Sequence, residues 1–158
     1  MRRVLIVCTG NVCRSPMAEV LLKARLARDG SRDDWVVRSA GTGTVDGMPA
    51  SIFAIEEMRM RGLDLAAHRS RSVTRQEVAG ADLVLAMTDA QANALRNAFP
   101  KHADRVFLLT NMIGRSYDVA DPYGGAQDDY AATARELEEL IESGYERIVT
   151  LAERSDLA

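Results

Sequence analysis

The sequence predicts a three-layer α/β fold, a parallel sheet with helices on both of its faces, and two observations carry that expectation. Four short apolar runs, at Val4–Val7, Trp35–Ser39, Leu83–Met87 and Val106–Leu109, have the length and near-continuous hydrophobicity of strands buried on both faces. Between them lie stretches with helical spacing, the alternation that builds a parallel sheet by right-handed crossovers. At 158 residues, 47% hydrophobic and 27% charged, the chain matches one soluble domain spanning 1–158.

Each element has a local reason. Pro16–Ala27 places Ala18, Leu21, Leu22 and Leu26 at helical spacing directly after the first strand. A glycine-rich turn at Gly41–Gly47 follows the second strand, and a helix is expected over Ala50–Arg61 with Gly62 as its terminator. Asp89–Asn97 reads as the next helix, with Asp89 as its cap. Asp129–Glu142 gives the long final helix, and Tyr145–Leu151 fits either a short helix or a strand. This topology gathers the C-terminal ends of the strands, and the loops that follow them, on one edge.

The formal charge of −3, from 20 Lys+Arg against 23 Asp+Glu, argues against a nucleic-acid binder, which needs a concentrated basic surface. Val4–Val7 is too short to span a membrane and has no secretory cleavage pattern, so residence in the cytoplasm is expected, with no membrane partner. Cys8 and Cys13 lie too close together to staple a fold, which leaves them a reactive or redox role. With His68 and His102 as the only histidines, no metal or other cofactor is expected.

The chemistry concentrates in Cys8-Thr9-Gly10-Asn11-Val12-Cys13-Arg14-Ser15-Pro16, between the first strand and the first helix. A turn there converges backbone N–H groups with those of the helix start, which makes an anion cradle. Gly10 and Asn11 suit a tight or left-handed backbone, and Pro16 is tolerated in a first helical turn. The Arg14 guanidinium can grip two phosphate oxygens at once. The same groups favour thiolate over thiol at Cys8, so the nucleophile needs no histidine beside it. Ser15 is placed to donate to that sulfur, and Cys13 reads equally as a small buried apolar residue or as a resolving thiol. The alternative in which Cys8 only ends a strand, Arg14 makes a surface ion pair and Ser15 caps the helix leaves their joint position unexplained. No Gly-Lys-Ser/Thr ending is present, so this is not the nucleotide-binding phosphate loop.

A second segment, Val119-Ala120-Asp121-Pro122-Tyr123-Gly124-Gly125, presents a carboxylate. Pro122 holds Asp121 extended and the two glycines let the chain turn after it. Asp121 can donate a proton to a leaving oxygen and then take one from water, with Asp118 and Asp128 as competing carboxylates. Tyr123 serves as an aromatic wall or as an ordinary loop residue.

Together the two segments closely resemble the low-molecular-weight protein tyrosine phosphatase family across almost the whole chain. The resemblance implies a four-stranded parallel sheet, Cys8 as nucleophile, Arg14 as phosphate ligand and Asp121 as general acid, with a phosphocysteine intermediate and no metal. It further implies that Thr9, Gly10, Asn11, Val12, Cys13 and Ser15 form the phosphate loop, with Asn11 as its organiser. Cys13 would be the disulfide partner that protects Cys8, Val12, Val45 and Tyr123 would line the substrate pocket, and His68 and Asp89 would be a structural pair. Val45 stands where many relatives carry a larger residue, and Ala50-Ser51-Ile52-Phe53-Ala54 departs from the usual Asp-Pro-Arg-Ala. The implied substrate is a tyrosine-phosphorylated protein, a cognate tyrosine kinase among them; nothing in the patterning sets an oligomeric state.

A phosphoarginine preference is the alternative, although members with it tend to have threonine at Val12 and phenylalanine at Tyr123. Arsenate reduction would need relay cysteines beyond Cys13, and a noncatalytic phosphate-binding module would leave Cys8 and Asp121 without a joint purpose. Arg59-Met60-Arg61 and Arg69-Ser70-Arg71 would suit an acidic or phosphorylated partner and read best as ordinary solvated surface.

Overall fold

The computed structural model describes residues 1–30 and 33–154, so the last residues of the expected 1–158 domain lie outside the described part. Four strands, β1 (Arg2–Cys8), β2 (Trp35–Gly41), β3 (Leu83–Ala86) and β4 (Val106–Leu108), form one sheet in the order β2-β1-β3-β4. All three pairings are parallel, with Cys8 opposite Gly41 and Val7 opposite Ala86. The expected three-layer fold is the one observed.

The two faces of β1 seed two cores. Val4, Ile6 and Cys8 pack with buried residues of α1 (Arg14–Asp29), α2 (Ile52–Met60) and α5 (Gln127–Glu153). Leu5 and Val7 pack on the other side with Val78 of α3 (Arg75–Gly80) and with Ala92 and Leu95 of α4 (Asp89–Ala98). Short 3₁₀ turns at Pro100–Arg105 and Leu109–Ile113 flank β4. Among the described residues no helix is long and apolar enough to cross a membrane.

Three points differ from the sequence expectation. Asp129–Glu142 and Tyr145–Leu151 are one helix, α5, which runs through Gly144. Gly144 is there for contact: a Cβ at that position would lie 2.6 Å from Met112 Cβ, so the glycine lets α5 press against the turn after β4. The short helix α3 was absent from the sequence reading; Thr74 caps it by accepting from the Glu77 N–H at 3.2 Å. The cap of α4 is Thr88, one residue before the expected Asp89, in a capping box with Gln91. Gly62, at φ 76°, does close α2 as expected.

Candidate active site

Cys8 is the last residue of β1 and Arg14 the first of α1, so the loop between them curls over the C-terminal edge of the sheet. It rests on Gly41: a Cβ there would meet the Thr9 carbonyl oxygen at 2.5 Å, and only glycine allows that approach. The Thr42 and Gly43 N–H groups donate to the Cys8 and Thr9 carbonyls, both at 3.0 Å.

Asn11, and not Gly10, takes the left-handed backbone, at φ 55°. Its fully buried side chain donates to Ser15 Oγ at 2.9 Å and Ser39 Oγ at 3.0 Å and accepts from the Arg71 N–H at 2.9 Å. Its carbonyl meets His68 Nε2 at 2.7 Å. The left-handed turn is thus held from β2, from α1 and from the segment around His68. Cys8 Sγ lies 2.9 Å from Ser15 Oγ and accepts from the Asn11 N–H at 3.3 Å. Because the Ser15 oxygen already accepts from Asn11 Nδ2, its hydroxyl is left to donate to the sulfur beside the Asn11 N–H.

Arg14 is 4% exposed, so its charge is committed to the loop. One terminal nitrogen donates to the Val119 carbonyl at 2.8 Å and the other stands 3.5 Å from Asp121 Oδ2. Its Nε is buried with no hydrogen-bond partner among the described residues, a donor left for an anion in the cradle. The Val119 N–H donates to the Met87 carbonyl at 2.9 Å, which ties the Asp121 loop to the end of β3. Asp121 Oδ1 accepts the Tyr123 N–H at 3.1 Å. Gly124, at φ 83°, then turns the chain away. The competing Asp118 is engaged elsewhere, accepting the Asp89 N–H at 2.8 Å.

Cys8, Arg14 and Asp121 face one cleft of about 580 Å³, with Val12, Val45 and Tyr123 on its walls. Val45 and Tyr123 are 69% and 70% exposed and form the mouth. His68 and Asp89 hold separate partners: His68 meets the Asn11 carbonyl at 2.7 Å, and Asp89 accepts from Asn93 Nδ2 at 3.1 Å. In the divergent stretch before α2, the Ser51 N–H donates to the Val12 carbonyl and its hydroxyl to Tyr130, both at 2.9 Å.

Cys13 is 3% exposed with Sγ 3.4 Å from the Tyr130 hydroxyl, and both cysteines are free thiols. Burial pushes its pKa up to about 11 and that of Tyr130 to about 12. At neutral pH only about one Cys13 in ten thousand is then thiolate, the form that would have to attack another sulfur. Both pKa values are raised on folding, so their stability contribution is complete below pH 9.0 and is lost as pH rises towards about 12. Urea midpoints of the native protein are expected to fall between pH 8 and pH 11 more steeply than those of a Cys13→Ala/Tyr130→Phe variant; equal slopes would contradict the assignment.

Sequence reading missed Gln91. This buried residue of α4 accepts from the Met87 and Thr88 N–H groups and donates to Thr9 Oγ1, each at 3.0 Å, and so links β3, α4 and the loop. The Thr88-x-x-Gln91 capping pattern was its legible signal. Gln91→Leu is expected to cost about 1–3 kcal/mol of stability and to lower kcat/KM by loosening Thr9. Denaturation midpoints and steady-state kinetics check both effects.

A buried sulfur with two donors, an anion cradle at a strand-to-helix junction and a carboxylate across the cleft define a phosphatase that works through a cysteinyl-phosphate. Residues 3–151 match the family model described as low molecular weight phosphotyrosine protein phosphatase, and the chain belongs to that family. It is 38% identical over 149 residues to a protein-arginine-phosphatase of Geobacillus stearothermophilus, an alignment covering 94% of this chain and 97% of that one. A low molecular weight protein tyrosine phosphatase from T. tengcongensis superimposes with a TM-score of 0.87 at 41% identity, covering 93% of this chain and 99% of that one. The YwlE arginine phosphatase, as a cysteine-to-serine mutant with a phosphorylated active-site serine, superimposes with a TM-score of 0.88 at 37% identity, covering 93% of this chain and 95% of that one.

Proposed function

We propose that the chain is a protein phosphatase that acts on phosphoarginine. Cys8 attacks phosphorus, so that the S–P bond forms as the P–N bond breaks. Arg14 and the loop N–H groups hold the equatorial oxygens. Asp121 supplies a proton to the leaving nitrogen and the freed arginine departs as a cation beside the carboxylate. Water then attacks phosphorus, gives its proton to Asp121, and releases phosphate and the Cys8 thiolate.

The observation that carries this reading is the mouth of the cleft. Among the described residues its lining holds a single ring, Tyr123, together with the aliphatic Val45 and Val12 and the Asp121 carboxylate, which stands 3.5 Å from Arg14. That arrangement accepts a slender alkyl guanidine and places an acid where its positive charge develops, while it offers no second ring to sandwich a phenol. Near full-length likeness to an arginine phosphatase supports it.

A second reading, a tyrosine-phosphorylated protein as substrate, is favoured by Val12 and Tyr123, which differ from the threonine and phenylalanine associated with phosphoarginine. The test is kcat/KM on two peptides of one sequence carrying phosphoarginine or phosphotyrosine. A higher value on phosphoarginine is expected, and a tenfold preference for phosphotyrosine would overturn the assignment.

A further inference from the structure

Among the described residues eight large apolar side chains stand exposed, and five of them lie on two segments that meet at the catalytic mouth: Val45, Met48, Ile52, Phe53 and Tyr123. Val45 and Tyr123 line the cleft itself. The chain from Val45 to Met48 is strapped to Ser70, whose hydroxyl donates to the Val45 carbonyl at 2.6 Å and accepts the Met48 N–H at 2.9 Å. The Ser51 N–H, bonded to the Val12 carbonyl, sets Ile52 and Phe53 beside the phosphate loop at the start of α2. Phe53 packs edge-on against Tyr130, with ring centroids 5.4 Å apart, and its carbonyl accepts from Gln127 Nε2 at 3.2 Å, just past the Tyr123 turn.

The polar side chains of this stretch are bound to the protein while its large apolar ones face water. Asp46 Oδ1 accepts the Ser72 N–H at 2.8 Å, and the Ser51 hydroxyl donates to Tyr130 at 2.9 Å. Met48 and Ile52 are 49% and 79% exposed and belong to neither core. Single exposed apolar residues are ordinary on a solvated surface. A group of them around one cleft marks a face that another molecule covers.

We infer that this apolar collar receives large apolar side chains that flank the phosphorylated residue of a substrate protein, which rests on the reading that the cleft takes a phosphorylated protein segment. A phosphoryl group seated on Cys8 leaves its own residue at the mouth lined by Val45 and Tyr123. The neighbouring residues of the same segment then emerge over Met48, Ile52 and Phe53. A second copy of the chain or a lipid surface on this face would instead close the mouth that the collar surrounds.

The probes are peptides of one length in which the phosphorylated residue is flanked on both sides by Leu or on both sides by Ser, each made with phosphoarginine and with phosphotyrosine. Leu flanks are expected to raise kcat/KM about tenfold over Ser flanks. A Met48→Ser/Ile52→Ser variant is expected to lose most of that advantage through a higher KM, with turnover of para-nitrophenyl phosphate, too small to reach either side chain, unchanged. Because flanks are compared on the same phosphorylated residue, a preference for phosphotyrosine would defeat the phosphoarginine reading and leave the collar standing. Equal kcat/KM on Leu and Ser flanks, a Leu advantage kept in full by the variant, or an equal loss on every substrate including para-nitrophenyl phosphate would each overturn the inference. So would a dimer in sedimentation, or flotation with phosphatidylcholine vesicles, that the double substitution abolishes, since either gives the collar to another occupant.

Discussion

Cys8→Ser is expected to lower kcat by at least about 10⁴-fold on phosphoarginine and phosphotyrosine peptides alike, while inorganic phosphate still binds. The reason lies in what surrounds the sulfur. Its partners are the Ser15 hydroxyl and the Asn11 N–H, both suited to stabilising an anion and neither able to take a proton from a serine hydroxyl. His68, the one histidine that contacts the loop, is spent on the Asn11 carbonyl. An alkoxide would have to form without a base, and the phosphoserine that did form would have a poor leaving group in the hydrolytic step. Arg14 and the loop amides are untouched, so calorimetric titration with phosphate should give a Kd within a few-fold of the native value. Mass spectrometry of the variant after incubation with substrate is expected to find a phosphoryl group on Ser at position 8. Turnover within tenfold of native would remove Cys8 from the mechanism.

The parts of this arrangement that were legible in the sequence are those that depend on neighbours along the chain. β1 and β3 announce themselves because a parallel strand covered on both faces has no polar side. The loop from Cys8 to Ser15 is legible for a similar reason: strand end, tight turn, arginine and helix start are contiguous, and their chemistry needs no distant partner to be recognised. The break expected between Glu142 and Tyr145 is bridged at Gly144 for a physical reason. A glycine inside a helical pattern commonly ends it, whereas this one is placed by Met112, 32 residues away in the sequence, and nothing local marks that.

The rest of the site is built by register. Asn11 is held by Ser39 and Arg71, Thr9 by Gln91 and Arg14 by Val119, contacts that exist only once β1 lies between β2 and β3 with Cys8 opposite Gly41. Asp121 reaches the cleft by the same route, because its loop is pinned to the Met87 carbonyl at the end of β3. Resemblance named His68 and Asp89 as structural support; His68 bonds the Asn11 carbonyl and Asp89 accepts from Asn93 within α4, contacts that no motif spells out. The substrate is the least legible feature of all, since it turns on three rim side chains, Val12, Val45 and Tyr123, whose spacing no motif encodes.

Asp121→Asn is expected to lower kcat by about 10²–10⁴-fold on substrates with a poor leaving group, and by much less on para-nitrophenyl phosphate. Asparagine keeps the size of the side chain and can still accept the Tyr123 N–H, so the loop should hold its shape. What disappears is the proton that Asp121 delivers, and the cost of losing it grows with the basicity of the departing group. Guanidine and phenol need that proton; nitrophenolate leaves nearly as well without it. The substitution also removes the carboxylate that stands 3.5 Å from Arg14, so phosphate, which no longer competes with a neighbouring anion, should bind several-fold tighter. Asp118→Asn is the control: its carboxylate is engaged by the Asp89 N–H, so the change should lower stability modestly and leave the leaving-group dependence as it was. Losses of equal size on every leaving group would make Asp121 a positioning residue and would move the search for the proton donor to water held in the cleft.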